Sequence, residues 1–347
     1  MLDSLHIKNF RCFEDLTIPS LGQVNLIVGK NSVGKSTLLE AIAIFSSAAD
    51  RQTINFFREF RDSYSSTSST DDDQLIELLP HKNQELMLEI GDIRKIQYVT
   101  IMPKSIAIEK FPDFPVEESS SYSRRRARKD NKFVIISLKN NLINLTSIPH
   151  YYSGTHLENT SELERIWAAA FKNSKKKLVI NALKIINKSI NDLAFIPEEI
   201  YENDFPRDQK LIRIPMVKLD DQDQAVPLRS LGEGTLRLLQ IILAALQAEN
   251  GFLLIDEFEN GLHYSIQGEV WEKLFKLAKE LDIQVFATTH SEDTVKAFCK
   301  VSLHSPEEGH LISLGRSAYG EDKGKIIAIV HDENDLQYIL DTGMEVR

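Results

Sequence analysis

An eight-residue segment, Gly29-Lys-Asn-Ser-Val-Gly-Lys-Ser36, has the residue types and spacing of a phosphate-binding loop. Its two glycines let backbone N–H groups wrap around phosphate oxygens. Lys35 brings a positive charge to the phosphates, and the Ser36 hydroxyl can ligate Mg²⁺. The segment follows an apolar stretch, Val24–Val28, and precedes a helical one, Thr37–Phe45, whose N-terminus adds positive potential. This context predicts a nucleotide site with Mg²⁺ rather than an ordinary glycine turn.

Two carboxylates, Asp256 and Glu257, directly follow the apolar stretch Phe252–Ile255. In open α/β sheets, ligands bind where the strands end, so these acids are expected at the same sheet edge as the phosphate loop. Asp256 can then hold Mg²⁺, directly or through water. Glu257 can polarise the attacking water as a general base. A lone Asp-Glu pair is commonly a solvated turn, and the complete phosphate loop favours the catalytic interpretation.

A second apolar stretch with a polar end, Gln284–Thr288, is followed by Thr289 and His290. His290 is expected at the same edge, where it could hydrogen-bond the γ-phosphate or the attacking water. A histidine at a strand end is more often structural. Its position 33 residues after Glu257 favours the functional interpretation.

Strands that alternate with helices predict an α/β fold with a mixed, mainly parallel sheet covered by helices on both faces. Along the chain the predicted elements are strands near Leu5–Phe10 and at Leu16–Ile18, a hairpin of Glu85–Ile90 and Lys95–Met102 turning at Gly91-Asp92, a strand at Phe133–Leu138, a helical segment over 161–194, a strand at Leu211–Val217, helices at Thr235–Gln247 and Gln267–Leu281, and two strands and a helix after residue 310. Polar segments at Ser63–Asp73 and Pro112–Asn131 are expected to be flexible.

The chain has 347 residues, 42% of them hydrophobic, and 41 Lys and Arg against 51 Asp and Glu give a net charge of −10. Such a composition is typical of a folded protein with a sizeable core. Cys12 and Cys299 are its two cysteines, which excludes a disulfide scaffold or a cysteine zinc cluster. Since we find neither a secretory leader nor an apolar stretch of about 20 residues, we expect a cytoplasmic protein without a membrane partner. The acidic balance disfavours nucleic-acid binding over the whole surface.

These motifs together resemble an ATP-binding-cassette (ABC) ATPase of the RecF/SMC-like branch, close to the OLD-type "AAA family ATPase" group. The resembling segments occur in the family's order: Ile7-Lys-Asn-Phe-Arg-Cys-Phe13, the phosphate loop, Leu228–Leu239, Phe252–His263 and Ala287–Ser291. They cover the first 45 residues and about 206–300. The resemblance implies a P-loop NTPase core in two halves, 1–60 and 206–347, around an α+β insertion at 61–205.

By this resemblance, Ser230-Leu-Gly-Glu-Gly234 is the signature loop, which caps the γ-phosphate of a partner subunit. Glu259–His263 stands where the family has its D-loop, which crosses the dimer interface. The expected site is assigned as follows: catalytic, Glu257 and His290; nucleotide-binding, Gly29, Lys30, Asn31, Ser32, Val33, Gly34, Lys35, Ser36, Thr37, Ser230, Gly232, Glu233 and Gly234; metal-binding, Ser36 and Asp256. The Q-loop glutamine stays open between Gln84 and Gln97.

The basic cluster Arg124–Lys129 could grip a nucleic-acid backbone or be a solvated loop, and the second interpretation is favoured because aromatic residues do not interleave it. Arg58 and Arg61 could contact phosphate, although exposed helical arginines are more common. DNA therefore remains a possible ligand.

The resemblance implies an ATPase that forms a head-to-tail dimer, or a higher oligomer, around two ATP–Mg²⁺ sites. Such proteins act as sensors in DNA repair or anti-phage defence, often with a separately encoded nuclease or toxin. Only 57 residues follow His290, so a fused Toprim nuclease is not expected. A scaffold with structural or slowly hydrolysed nucleotide is the main alternative, and the ATPase subunit of a membrane transporter is another.

Overall fold

The computed structural model describes residues 1–61, 87–95, 97–103, 133–139, 142–143, 147–155, 159–201, 209–220, 222, 224–232, 234–318, 320 and 322–343. The predicted flexible segments Ser63–Asp73 and Pro112–Asn131, and with them the basic cluster Arg124–Lys129, lie outside these residues.

The described strands are β1 (Leu5–Phe10), β2 (Phe13–Ile18), β3 (Val24–Val28), β4 (Leu88–Asp92), β5 (Gln97–Pro103), β6 (Phe133–Lys139), β7 (Leu142–Ile143), β8 (His150–Ser153), β9 (Ile190–Tyr201), β10 (Gln209–Leu219), β11 (Val226–Pro227), β12 (Phe252–Ile255), β13 (Gln284–Thr288), β14 (Gly309–Arg316) and β15 (Ile326–His331). The described helices are α1 (Lys35–Ser46), α2 (Arg51–Arg61), α3 (Thr160–Lys172), α4 (Lys176–Leu183), α5 (Gly234–Gln247), α6 (Tyr264–Glu280), α7 (Glu292–Ser302) and α8 (Glu333–Thr342), with a 3₁₀ turn at Leu228–Leu231.

The central sheet has the strand order β15-β14-β3-β13-β12-β8. Its strands are parallel except β15, which pairs antiparallel with β14 at one edge. Strand β12 is apolar throughout because both of its faces are buried. Phe252 and Leu254 face one hydrophobic core, while Leu253 and Ile255 face the other. Burial on both faces is the pattern of a parallel sheet between two layers. The predicted fold class is confirmed.

The two layers that cover the central sheet are built from different helices and strands. Helix α1 lies in one core together with β1, β2 and β4, and α5, α6 and α7 contribute the apolar residues of the other. Helices therefore cover both faces, as predicted. Among the described residues, no helix is both long and apolar enough to cross a membrane.

A second sheet, in the order β2-β1-β4-β5-β6-β7, is antiparallel. It contains the predicted hairpin, now β4 and β5, but the predicted turn at Gly91-Asp92 is wrong. Gly91 and Asp92 pair with Tyr98 and Gln97 inside the ladder. The Asp92 carboxylate accepts hydrogen bonds from the backbone N–H groups of Arg94 and Lys95, and the turn begins only after Asp92, at Ile93.

The helical segment predicted over 161–194 is wrong in its last part. Residues there form α3, α4 and the start of β9. The break between the two helices contains Ser174, which adopts φ +60°. From Asp192 to Phe195, the buried Leu193 and Phe195 alternate with the more exposed Asp192 and Ala194, which is the period of a strand. Strand β9 forms a long antiparallel hairpin with β10.

Strands from the middle of the chain join those from its ends. Strand β8 pairs with β12 in the central sheet, β4 pairs with β1, and the paired strands β9 and β10 lie on either side of residue 206 in the sequence. The division into 1–60, 61–205 and 206–347 stays a prediction about units of the fold.

Candidate nucleotide site

The phosphate loop connects β3 to α1, and both of its glycines are required by geometry. Gly29 has φ +147°, and a Cβ there would lie 2.4 Å from the carbonyl oxygen of Leu314. Gly34 has φ +96° and caps α1, and its Cβ would lie 2.7 Å from Cys12 Sγ. Larger residues would therefore clash with the layers that hold the loop. Lys30, Asn31 and Ser32 at its tip are exposed, whereas Val33 and Thr37 anchor it in the interior.

The Lys35 amine is folded back onto its own loop. It donates hydrogen bonds to the carbonyl oxygens of Gly29, at 2.7 Å, and Lys30, at 3.0 Å. It also lies 3.4 Å from Nδ1 of His290. The predicted phosphate-binding lysine and the predicted strand-end histidine therefore meet at one point.

The Asp256 carboxylate is the centre of a group of hydroxyls and is only 4% exposed. Its Oδ1 accepts hydrogen bonds from Ser36 Oγ, at 3.1 Å, and Thr288 Oγ1, at 2.6 Å. Its Oδ2 accepts one from the Tyr152 hydroxyl, also at 3.1 Å. The two predicted metal ligands, Ser36 and Asp256, are thus adjacent. Sequence reasoning missed Thr288 and Tyr152, of which Thr288 was identifiable as the last residue of a strand predicted to end at this edge.

The backbone of Glu257 is held in the left-handed region, at φ +50°, which is uncommon for a residue other than glycine. Its N–H donates to Thr288 Oγ1 at 2.9 Å. Arg237, from α5, donates to the carbonyl oxygens of Asp256, at 3.0 Å, and Glu257, at 3.3 Å. Arg237 is 2% exposed, and it also bonds to the Gly154 carbonyl oxygen. Sequence reasoning missed Arg237, although an arginine within a mainly apolar helix could have indicated it.

The backbone of His290 is held by Glu259. One carboxylate oxygen of Glu259 accepts the His290 N–H, and the other accepts the Thr289 hydroxyl, both at 2.7 Å. Glu259 belongs to the predicted D-loop, so this segment is joined to the end of β13. The imidazole of His290 is half-buried.

The predicted signature loop begins within the 3₁₀ turn and ends at the first residue of α5. The exposed Ser230 donates to the carbonyl oxygen of Pro227. Gly232 has φ +121° and open space where a Cβ would be, whereas a Cβ on Gly234 would lie 2.6 Å from the carbonyl oxygen of Gly261. The loop therefore sits beside the predicted D-loop of its own chain. Glu233 lies outside the described residues.

Of the two glutamines considered for the Q-loop, Gln84 lies outside the described residues, and Gln97 pairs with Asp92 and Lys139 in the antiparallel sheet. The Q-loop role is therefore assigned to neither glutamine. Arg58 and Arg61 lie on α2.

The profile of the AAA_21 family, described as "AAA domain, putative AbiEii toxin, Type IV TA system", matches residues 24–295. This span begins at β3 and includes the phosphate loop, Asp256, Glu257 and His290. The chain belongs to this family. Together with the relatives and solved structures below, the match identifies an ATPase of the RecF/SMC-like ABC type, as predicted.

Named relatives of this AAA_21 chain differ in how much of it they share. The "ATP/GTP phosphatase" of Helicobacter pylori is 23% identical over 334 residues, covering 87% of this chain and 88% of the relative. The DNA replication and repair protein RecF of Ligilactobacillus salivarius is 41% identical over 54 residues, or 16% of this chain and 14% of its own. The OLD nuclease of Thermus scotoductus is 55% identical over 42 residues, or 12% of this chain and 8% of its own. The chain thus spans most of the first relative and a small part of the other two.

Solved structures support the fold of this ATPase. The SMC head domain from Thermotoga maritima covers 95% of this chain and 99% of its own, with a TM-score of 0.53 and 12% identity. An SMC head bound to the C-winged helix domain of ScpA covers 97% of this chain and 99% of its own, with a TM-score of 0.51 and 14% identity. At these identities the likeness shows the fold alone.

The family implies a nucleotide, and P-loop ATPases commonly bind it with Mg²⁺. The residues present fit both groups. The loop tip is open to solvent, and Ser36 and Asp256 offer the oxygen ligands that Mg²⁺ prefers. In the described part of the chain, no group of three or more His, Cys, Asp or Glu side chains is arranged to hold a metal. A site with so few protein ligands suits Mg²⁺, because Mg²⁺ usually binds through one or two carboxylates plus substrate phosphates.

Proposed function

We propose that this ATPase binds ATP–Mg²⁺ at the phosphate loop and hydrolyses it with Glu257 as the general base. The observation that carries the proposal is the contact between Ser36 and Asp256, because it brings the phosphate loop and the acidic strand end to one point. Glu257 follows Asp256 directly, so a water near the γ-phosphate would be within its reach.

The residues of the loop would bind the phosphates. Backbone N–H groups of Gly29–Thr37 and the N-terminus of α1 would contact phosphate oxygens. The Lys35 amine would exchange the carbonyl oxygens of Gly29 and Lys30 for phosphate oxygens. Ser36 and Asp256 would hold Mg²⁺, which neutralises charge on the β- and γ-phosphates when bound.

Glu257 would accept the proton of the attacking water. Its backbone conformation is fixed by Thr288 and Arg237, which keeps the carboxylate at the sheet edge. His290 would hydrogen-bond the γ-phosphate or the same water, and its proximity to Lys35 supports this role.

Dimerisation is the second part of the proposal. The exposed Ser230 and Gly232 would contact the nucleotide bound by a partner subunit, since Ser230 is bonded within its own turn rather than to residues 29–37. In a head-to-tail dimer, Glu259–His263 would lie at the interface beside Gly234. The family resemblance and the helix N-terminus at Gly234 support this arrangement.

The third part concerns biological role. We propose that the ATP cycle controls a separately encoded nuclease or toxin in the cytoplasm, in anti-phage defence or DNA repair. The toxin–antitoxin wording of the family description and the RecF and OLD nuclease relatives support this class of role. Since the net charge is −10, any DNA contact would be local and sensitive to salt.

A mixing experiment tests the composite site. Lys35→Ala should not bind ATP, whereas Ser230→Arg should bind ATP at its intact loop without hydrolysing it. Mixing the two inactive proteins creates heterodimers in which one site keeps both Lys35 and Ser230, so hydrolysis should return. If the mixture stays inactive while Ser230→Arg still binds ATP, the arrangement across two subunits is wrong. ATP binding without hydrolysis by the wild-type protein would instead support the scaffold alternative.

A further inference from the structure

The Tyr152 hydroxyl donates a hydrogen bond to Oδ2 of Asp256 at 3.1 Å. We propose that Tyr152 is a positioning residue that orients this carboxylate for the metal that accompanies the nucleotide. The inference rests on the proposed ATP–Mg²⁺ function and adds a residue from β8, outside the motifs that carry that function.

The sheet register explains how Tyr152 reaches the site. Strand β8 pairs in parallel with β12, with Tyr152 opposite Leu254 and Ser153 opposite Ile255. The Asp256 N–H then donates to the Ser153 carbonyl oxygen at 2.9 Å, which extends the ladder to the metal-ligand position. The two strands therefore end at the same edge, and the tyrosine stands beside the carboxylate.

The hydroxyl groups divide the two oxygens of Asp256 between them. Oδ1 accepts from Ser36 and Thr288, and Oδ2 accepts from Tyr152. With both oxygens bonded, rotation of the carboxylate about its terminal torsion breaks a hydrogen bond. Hydrogen bonds to an ionised acceptor are stronger than neutral ones. Partners of this kind orient metal ligands, and their removal commonly costs ten- to a hundredfold in metal affinity or activity.

The tyrosine ring is itself fixed by α2. Its centroid lies 5.0 Å from that of Phe57 and 6.1 Å from that of Phe56, both in edge-to-face geometry. Phe57 is buried, and α2 follows α1 after a short turn. The position of α2 therefore sets the position of the hydroxyl. Phenylalanine at 152 would keep these ring contacts and remove the hydroxyl that bonds to Asp256.

Tyr152→Phe is the test, with Tyr151→Phe as the matched control. Tyr151 is the preceding residue of the same strand and packs against the opposite core. The readout is the dissociation constant of Mn²⁺, an EPR-visible substitute for Mg²⁺, measured with a non-hydrolysable ATP analogue present. We expect about a tenfold weaker Mn²⁺ affinity in Tyr152→Phe and no change in Tyr151→Phe. Binding of the analogue in EDTA should be the same in all three proteins.

The outcomes separate the two proposals. Equal Mn²⁺ affinity in Tyr152→Phe and wild type would overturn the role of Tyr152 and leave the nucleotide site intact. Failure of the wild type to bind Mn²⁺ with the analogue would overturn the proposed ATP–metal function itself. Weaker binding of the analogue in EDTA by Tyr152→Phe would show a nucleotide contact and overturn the positioning role.

Discussion

The Ser36 hydroxyl donates to Oδ1 of Asp256 at 3.1 Å, although the two residues are 220 positions apart in the sequence. The bond joins the first turn of α1 to the end of β12 and so connects the phosphate loop to the acidic strand end. It also brings together the two side-chain oxygens that we propose as ligands of a cation bound to nucleotide phosphates.

Substitutions at Ser36 should therefore distinguish the contribution of its hydroxyl to metal binding from the contribution of the loop's shape. Ser36→Ala removes the ligand, and we expect Mg²⁺-dependent ATP binding to weaken by roughly tenfold. Ser36→Thr keeps the hydroxyl that the motif allows and should bind as wild type does. Titration of Mg²⁺ against a fluorescent ATP analogue measures both. Equal metal dependence of the alanine and threonine variants would refute the assignment of Ser36 as a ligand.

Glu259 is expected to act on turnover through His290. Glu259→Gln keeps one carbonyl oxygen but exchanges the other acceptor for an amide NH2 group, which only donates, so one of the bonds to Thr289 and His290 is lost. We expect kcat for ATP to fall by roughly tenfold with little change in KM, since a hydrogen bond to a charged group contributes about 1.5–3 kcal/mol.

The control for this prediction is Glu269→Gln, which changes an exposed carboxylate on α6. Its steady-state kinetics should match the wild type. A raised KM with unchanged kcat in Glu259→Gln would show that Glu259 affects binding rather than the position of His290.

Arg237 is predicted to matter for folding as well as for the site. Arg237→Leu would leave the carbonyl oxygens of Gly154 and Asp256 without this donor in the interior. We expect the free energy of unfolding to fall by about 3 kcal/mol, because buried carbonyl groups would lose their partner. Arg229→Leu, at an exposed position, is the comparison and should unfold as wild type does. Chemical denaturation measures the free energy of unfolding of both variants. An unchanged value for Arg237→Leu would show that Arg237 acts only at the site and not on the stability of the fold.

The two cysteines should differ in reactivity. Burial raises the pKa of the Cys299 thiol to about 12, so its thiolate is scarce at neutral pH. Cys12 is exposed and lies against Gly34 of the phosphate loop. A maleimide should therefore modify one thiol per native chain, and the adduct should block ATP binding sterically.

Mass spectrometry and nucleotide binding test this prediction together. Cys12→Ser should resist the reagent and still bind ATP after treatment. Modification of Cys299 in the native protein, or normal binding by the Cys12 adduct, would contradict the described placement of these thiols.

The sequence predicts those parts of the site that are contiguous in the chain. The spacing of Gly29, Gly34 and Lys35 identifies the phosphate loop because one short segment supplies all of its functions. Asp256 is predicted because an apolar strand must end at the ligand-binding edge. The same reasoning places His290, since the middle of β13, Val285–Ala287, is also apolar.

Residues that reach the site through tertiary packing could not be predicted in this way. Tyr152 lies on a four-residue strand whose pairing with β12 has no local sequence signal. Arg237 contacts the Asp256 backbone only because α5 packs across the sheet. The start of β9 was predicted as helix, and there the alternation from Asp192 to Phe195 outweighs the helical character of the preceding residues.

Hydrolysis by Glu257→Gln tests the central claim most directly. Glutamine keeps the size of the side chain and cannot accept the proton of the attacking water. We predict ATP binding close to that of wild type, a rate of phosphate release lower by at least about a hundredfold, and accumulation of an ATP-bound dimer. Phosphate release by Glu257→Gln at the wild-type rate would contradict the assignment of Glu257 as the general base of this ATPase.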